Sequence, residues 1–528
     1  MLRLHVPGRP RFFFVRCCHA RMFLCPMPLP PRSSENCSCI RRRWEAVRPA
    51  LVVLGVGLLW GLAAGAPQNA SAQDPLDSLR TAVTLFGVAG SGEALPFWLR
   101  ANQYGTIDPT SANAGLLLSA HRPFSEKSGL DYAFGAEVLG RASHHATVTF
   151  HELYGRLRYW RLQLTAGRRE QMIGRVDTSL SLGSVTWSKN ASPPPKINLS
   201  SDGYVPVPGT GKGLALKGYL AHGWLEHDRV VRDALLHEKY LYVRILPPDV
   251  PITAHAGITH HAVWGGTSPP QVVSLRRWAD VAFGLGVLSR SERDSVRPQR
   301  EANHIATYDF SVDVDLGGAE ALVYRQFYHE DIASFRFRNV WDGLWGVGLQ
   351  WDDSAPVSSV LWEHLRMTRH NAMFSAGQER GADSYYNHLR YRGGWTYQGR
   401  TLGIPLLTPA SRTPGLSDDL PSIGNNIVVA HHFGVEGHLG AGLSYRALGT
   451  YSRNYGANSV CGSPACTTRT NRRRDRRDQW SFRIGVSGSL SERYNLWFRT
   501  AAALDTGEFY DDRVGLSFDL TWRSPGGR

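Results

Sequence analysis

The sequence predicts an all-β protein, a transmembrane antiparallel β-barrel of the outer-membrane type, and three observations carry that prediction. An export signal opens the chain, period-two alternation of apolar and polar residues runs through nearly all that follows, and the apolar rows often begin or end in Trp or Tyr. Successive side chains of a strand point to opposite faces, so each alternating segment has one apolar and one polar wall.

The signal comes first in order. Residues 1–72 hold ten arginines against two acidic residues, more than half of the net charge of +14, and five of the seven cysteines. Arg41, Arg42, Arg43 and Arg48 form a basic n-region, Ala50 to Ala66 is apolar, and Ala70-Ser71-Ala72 supplies a small-x-small cleavage pattern. Cleavage after Ala72 is expected, leaving 73–528 as one barrel domain. Residues 1 to about 40 fit neither part of a signal and suggest a start codon placed too far upstream. The charge left beyond the leader is a mild excess that does not argue for nucleic acid. With only Cys461 and Cys466 left there, a disulfide scaffold and a multi-zinc protein are both excluded.

The strands follow. In Val514–Trp522 every second residue is large and apolar, while Gly515, Ser517, Asp519 and Thr521 are small or polar. Phe482, Ile484, Val486 and Leu490 alternate with Ser481, Arg483, Gly485, Ser487 and Ser489. The same holds for Tyr308–Leu316 and Tyr132–Val138. A soluble sandwich would bury the apolar wall; an outer-membrane barrel turns it to lipid. Segments of about 9–11 residues, aromatic row ends, and charges on the polar wall (Asp309, Asp313, Asp315, Arg483, Arg499) favour the barrel. Near the C-terminus only Ser491-Glu492-Arg493 joins two segments. Short turns belong to the periplasmic side, so 491–493 is read as periplasmic and the stretch from about 453 to 479 as extracellular.

Leu95-Pro-Phe-Trp-Leu-Arg-Ala-Asn-Gln-Tyr-Gly105 resembles the N-terminal signature of the capsule assembly Wzi family. The likeness continues through Ala166-Gly-Arg168, Trp187-Ser-Lys-Asn-Ala191, Lys212–Gly218 with His222-Gly-Trp224, and His237–Arg244. It extends to Gly257–His260, Tyr324-Arg-Gln326, Asp342–Gly346, Trp362-Glu363, Tyr386-Asn-His388, Gly394–Tyr397 and Gly403-Ile-Pro405. The resemblance implies a barrel of about eighteen strands, plugged by loops and short helical segments. It further implies a non-enzymatic lectin that anchors capsular or other surface polysaccharide, and no catalytic residue or cofactor. About 25 residues per strand and connection agrees with that count. An open porin or uptake channel is the alternative. The expected partners are polysaccharide, outer-membrane lipid and lipopolysaccharide, around a monomeric barrel.

Chemistry-bearing motifs are few. His222, His227, His237, His255, His260 and His261 make the middle histidine-rich, yet no tight metal-ligand spacing occurs, so no metal is expected. Neither a nucleophile elbow nor a P-loop is present. Cys461 and Cys466 bracket Gly-Ser-Pro-Ala and read as a local disulfide or two free thiols. Two segments are candidates for polysaccharide binding. Trp187 to Pro208 combines prolines with Trp187, Asn190, Asn198, Asp202 and Tyr204, the stacking and planar polar groups that sugars need. Its prolines argue against a central strand and for a loop that binds sugar or plugs the lumen. Arg472, Arg473, Arg474, Arg476 and Arg477 form a basic cluster suited to an anionic polysaccharide or to lipopolysaccharide phosphates.

Overall fold

The computed structural model describes residues 78–525 apart from 126–128, 247–249, 268–272, 284–301, 331–338, 371–383, 417–421, 441 and 458–475. The leader, Cys461, Cys466 and Arg472 to Arg474 therefore lie outside the described residues.

Eighteen antiparallel strands close into a barrel. They are β1 (Arg80–Ala94), β2 (Thr110–Arg122), β3 (Leu130–Ala142), β4 (Thr147–Tyr159), β5 (Leu162–Arg168) and β6 (Lys196–Ser201, resuming at Val205–Pro206). Then come β7 (Leu214–Trp224), β8 (Ala234–Ile245), β9 (Ile252–Gly265), β10 (Ala302–Asp315), β11 (Glu320–His329) and β12 (Gly343–Gln350). The last are β13 (Ser359–Met367), β14 (Val428–His438), β15 (Leu443–Asn454), β16 (Arg477–Ser491), β17 (Leu496–Gly507) and β18 (Arg513–Arg523). Each pairs with its sequence neighbour, and β1 pairs with β18 from Ala82↔Arg523 to Gly90↔Gly515, which removes both sheet edges.

All of the long connections fall at the same end of the barrel. At one end lie the brief turns 160–161, 316–319, 439–442 and 492–495, together with the start of β1 and the end of β18. At the other lie 95–109, 169–195, 266–301, 368–427 and 455–476. Short turns are periplasmic in bacterial barrels, so the second end is the outer one.

Burial follows the predicted alternation. Val514, Leu516 and Phe518 are exposed on the lipid side, as are Phe482, Ile484, Phe310 and Val312, while Asp309, Ser481 and Asp505 are buried on the inner side. Register sorts the outward residues of β13–β16 into layers. From the outer rim downward they read Arg366/Val429/Arg453/Asp478, then His364/His431/Tyr451/Trp480, then Trp362/Phe433/Gly449/Phe482, then Val360/Val435/Ala447/Ile484. Charge, amphipathic ring, aromatic and aliphatic layers succeed one another as the outer leaflet changes from headgroup to hydrocarbon.

One expectation is corrected. The Trp187–Pro208 block is not a single loop, because Lys196–Ser201 ladders between β5 and β7. Pro193, Pro194 and Pro195 precede the strand, and Pro206 and Pro208 fall after its break, so no lost N–H interrupts the ladder proper.

Candidate functional site

The outer half of the lumen is filled. Three connections fold inward: 95–109 with the short helix α1 (Phe97–Arg100), the strap 169–195, and part of 368–427. They contribute Phe97, Trp98, Leu182, Trp187, Tyr386, Trp395, Ile404 and Leu407 to one buried core shared with inward residues of the wall. Hydrogen bonds lock the plug to itself. Trp395 Nε1 donates to the Thr186 carbonyl at 2.7 Å, Ser188 Oγ to the Gly403 carbonyl at 2.6 Å, and Asn190 Nδ2 to Thr401 O and Oγ1 at 3.0 Å each. At Gly403 a Cβ would collide with the Tyr386 hydroxyl and the Val185 carbonyl, so these segments meet backbone to backbone.

Wall residues hold the plug in place. The Glu363 carboxylate accepts from Ser181 Oγ and Leu182 N at 2.6 Å each and from the Tyr324 hydroxyl at 2.5 Å. Asp505 accepts from Phe97 N at 2.9 Å. Lys196 pairs with Glu238 at 2.7 Å, both fully enclosed, and lies 4.3 Å over the Trp187 ring, which stacks on His261. Glu137 of β3, His151 of β4 and Glu170 of the strap also converge, their ligand atoms within 4.8 Å of one another. His151 meets Glu170 at 2.9 Å, tying strap to wall. That trio escaped the sequence reading because its members come from three separate segments.

The inner half of the lumen is different. Its walls carry Arg499–Asp519 at 2.6 Å and Arg446–Glu436 at 3.0 Å, both with well-exposed arginines, and the less exposed Arg158–Asp131 at 3.2 Å, while Arg175 of the strap reaches Asp313 at 2.8 Å.

The sequence-nominated residues separate between these zones. Trp187 and Asn190 are buried in the plug. Asn198 points inward from β6 between the lipid-facing Ile197 and Leu199, half-buried. Asp202 and Tyr204 lie lower, Asp202 beside Arg158 at 3.6 Å and Tyr204 beneath Arg244 and Lys217 at 5.2 and 5.8 Å. Arg476 pairs with Asp478, and Arg477 Nη1 donates to the Pro414 carbonyl at 3.2 Å, both at the outer rim. These residues do not form one constellation.

A group the sequence reading missed does converge. Arg100, Arg400 and Arg412 line one cavity of about 10 Å³ at the outer side of the plug, with Phe97, Asn190 and Thr408. Arg400 is buried and spends its Nη groups on the Arg100 and Ile107 carbonyls. Arg100 Nε donates to the Leu95 carbonyl at 3.3 Å and its guanidinium sits 5.2 Å from the Tyr510 ring. Burial, then the neighbouring Arg100, pushes the Arg412 guanidinium down to about 10, and burial with Arg412 and Arg100 nearby lowers Arg400 well below its usual range. The carboxylate whose charge reaches both, Asp108, is already engaged by Thr110, Arg141 and His145.

Comparison with known proteins bears on this architecture. The family profile described as capsule assembly protein Wzi matches residues 99–407. Among solved structures, the chain resembles Wzi of Escherichia coli, described as an outer-membrane protein involved in group 1 capsule assembly and a carbohydrate-binding β-barrel. The two share 14% identity at a TM-score of 0.51, over 83% of each chain. Two Pseudomonas aeruginosa proteins, OpdL and OccK11, align over 85% of this chain and 98% and 97% of theirs. Their identities are 10% and 11%, each with a TM-score of 0.41. No curated protein matches the chain.

Proposed function

The chain belongs to the capsule assembly protein Wzi family, and from that premise we propose that it is a non-enzymatic outer-membrane lectin that anchors capsular or other surface polysaccharide to the cell. Family membership over more than half of the chain is the observation that carries this reading. The packed outer lumen supports it over the porin alternative, since Phe97, Trp98, Leu182, Trp187, Tyr386 and Trp395 of the inward-folded connections share one buried core with the wall. Sugar therefore engages the outer surface of the plug and the outer loops rather than a through-channel. Of the nominated residues, Arg476 and Arg477 stand at the outer rim, Arg477 opening β16, and together with Arg472, Arg473 and Arg474 they are the basic cluster this reading assigns to polysaccharide. Trp187 and Asn190 act by shaping the plug, and Asn198, Asp202 and Tyr204 are reached only from the inner side.

The barrel works as a monomer, embedded among lipopolysaccharide. The outward layer of Arg366 and Arg453 stands above the aromatic rows, at the height of lipid A phosphates.

The test is a binding assay of the purified protein against the host's own surface polysaccharide. Saturable binding, weakened when the five arginines are changed to Ser, is the expected result. A protein that binds no surface glycan but conducts steadily in planar bilayers overturns the reading in favour of a porin.

A further inference from the structure

The Arg100/Arg400/Arg412 cavity has a composition that packing alone does not explain. Three guanidinium groups line one small space in the plug, Arg100 and Arg400 buried and Arg412 half-buried, and gathering like charges with only the already engaged Asp108 nearby is costly. Two of the three have assigned work: Arg400 holds the Arg100 and Ile107 carbonyls, and Arg100 is held by the Leu95 carbonyl and the Tyr510 ring. Arg412 has neither. Among the described residues its guanidinium makes no hydrogen bond and no ion pair, although the residue closes the end of the short 3-10 turn Ala410–Arg412 and lines the cavity. Asp108 cannot serve as its counter-ion, being 3.5 Å from Arg141 and bonded to Thr110 and His145.

The cavity belongs to the outer end of the barrel. Its walls come from 95–109, 169–195 and 368–427, all outer connections, and Tyr510 lies in the outer turn 508–512. Its water-sized space admits no sugar ring, only one oxygen of a planar or tetrahedral anionic group whose remaining oxygens stay at the mouth beside the half-buried Arg412; guanidinium forks match such groups by paired hydrogen bonds.

We propose that this cavity is an anion-binding subsite that takes a carboxylate or phosphate substituent of the polysaccharide, with Arg412 as its principal ligand and Arg100 and Arg400 as flanking charge. The proposal rests on the polysaccharide reading for the identity of the ligand, but not for the existence of the anion site.

The experiment titrates the full-length protein in detergent with four probes: the host polysaccharide, the same polysaccharide after carboxyl reduction and dephosphorylation, glucuronate, and inorganic phosphate. Wild type is compared with Arg412→Ala and Arg412→Lys. Because the Arg412 guanidinium has no hydrogen bond or ion pair to lose among the described residues, both variants are expected to fold, and the heat-dependent shift of the barrel on gels verifies it. Arg412→Ala should weaken binding of the native polysaccharide about tenfold, the loss of one charge-assisted contact, while Lys restores part of it. The neutralised polysaccharide should bind wild type and Arg412→Ala alike. Equal binding of native polysaccharide by wild type and Arg412→Ala overturns the subsite. If the polysaccharide fails to bind at all, the lectin reading falls, and glucuronate and phosphate then decide the cavity alone. Binding of either that is lost in Arg412→Ala keeps the anion site, and no anion binding removes it.

Discussion

The two halves of the lumen are built from the same eighteen strands and have opposite interiors. The outer half is a dry core of Trp187, Trp395, Tyr386 and their neighbours, held by fully enclosed groups such as the Lys196–Glu238 pair. The inner half is a wet cup lined by paired charges such as Arg499–Asp519. A polar inner wall is compatible with both. What differs is whether a connection folds back into the space: only the outer turns are long enough to do so. Closure of this barrel is therefore a property of its outer connections, and the strands merely provide anchors.

That contrast is broken most directly by removing the filling. Replacing 386–404 with a short Gly/Ser linker deletes Trp395, Tyr397, Leu402 and Ile404 from the core and the acceptors for Ser188 and Asn190. Steady single-channel conductance is expected in planar bilayers where the parent shows none; a variant that folds and stays closed would mean that the strap alone seals the lumen. The next effect in size comes from the anchor. Glu238→Ala leaves Lys196 buried without its partner, and breaking a buried pair in this way costs about 3–5 kcal/mol. Urea unfolding in detergent should report that loss, and Lys196→Met together with Glu238→Leu should recover most of it.

Sequence alone makes the wall legible and the plug nearly opaque. The alternation of Val514, Leu516 and Phe518 gives β18 to within a residue or so, because a strand's two faces are written in a local period. The plug has no such period. Trp395 meets Thr186 and Asn190 meets Thr401 across some two hundred residues, and nothing in either segment announces the other. The misread strand Lys196–Ser201 shows a related limit. It is short, flanked by prolines, and only Ile197 and Leu199 carry its lipid face. The arginine cavity was hidden for the same reason as the plug: Arg100 lies within a recognisable motif, but Arg400 and Arg412 reach it only through the fold.

Smaller substitutions sharpen the comparison by probing one polar contact in each half. In the dry half, Asn190→Ala removes both donors to Thr401 in a buried setting and leaves acceptors unsatisfied, a loss of about 1–3 kcal/mol. In the wet half, Arg499→Ser breaks a pair whose arginine is well exposed to the lumen water. Water and salt replace such a partner readily, so the expected loss is about 0–1 kcal/mol and should shrink further at high ionic strength. Urea midpoints for the two variants, measured at low and high salt, test the difference. Asn190→Ala should be destabilised by the same amount at both salt concentrations, and Arg499→Ser by little at either. If Arg499→Ser proves the more damaging of the two, then the inner cup is not solvated as its exposed arginines imply, and the charges there serve the barrel as an interlocked girdle.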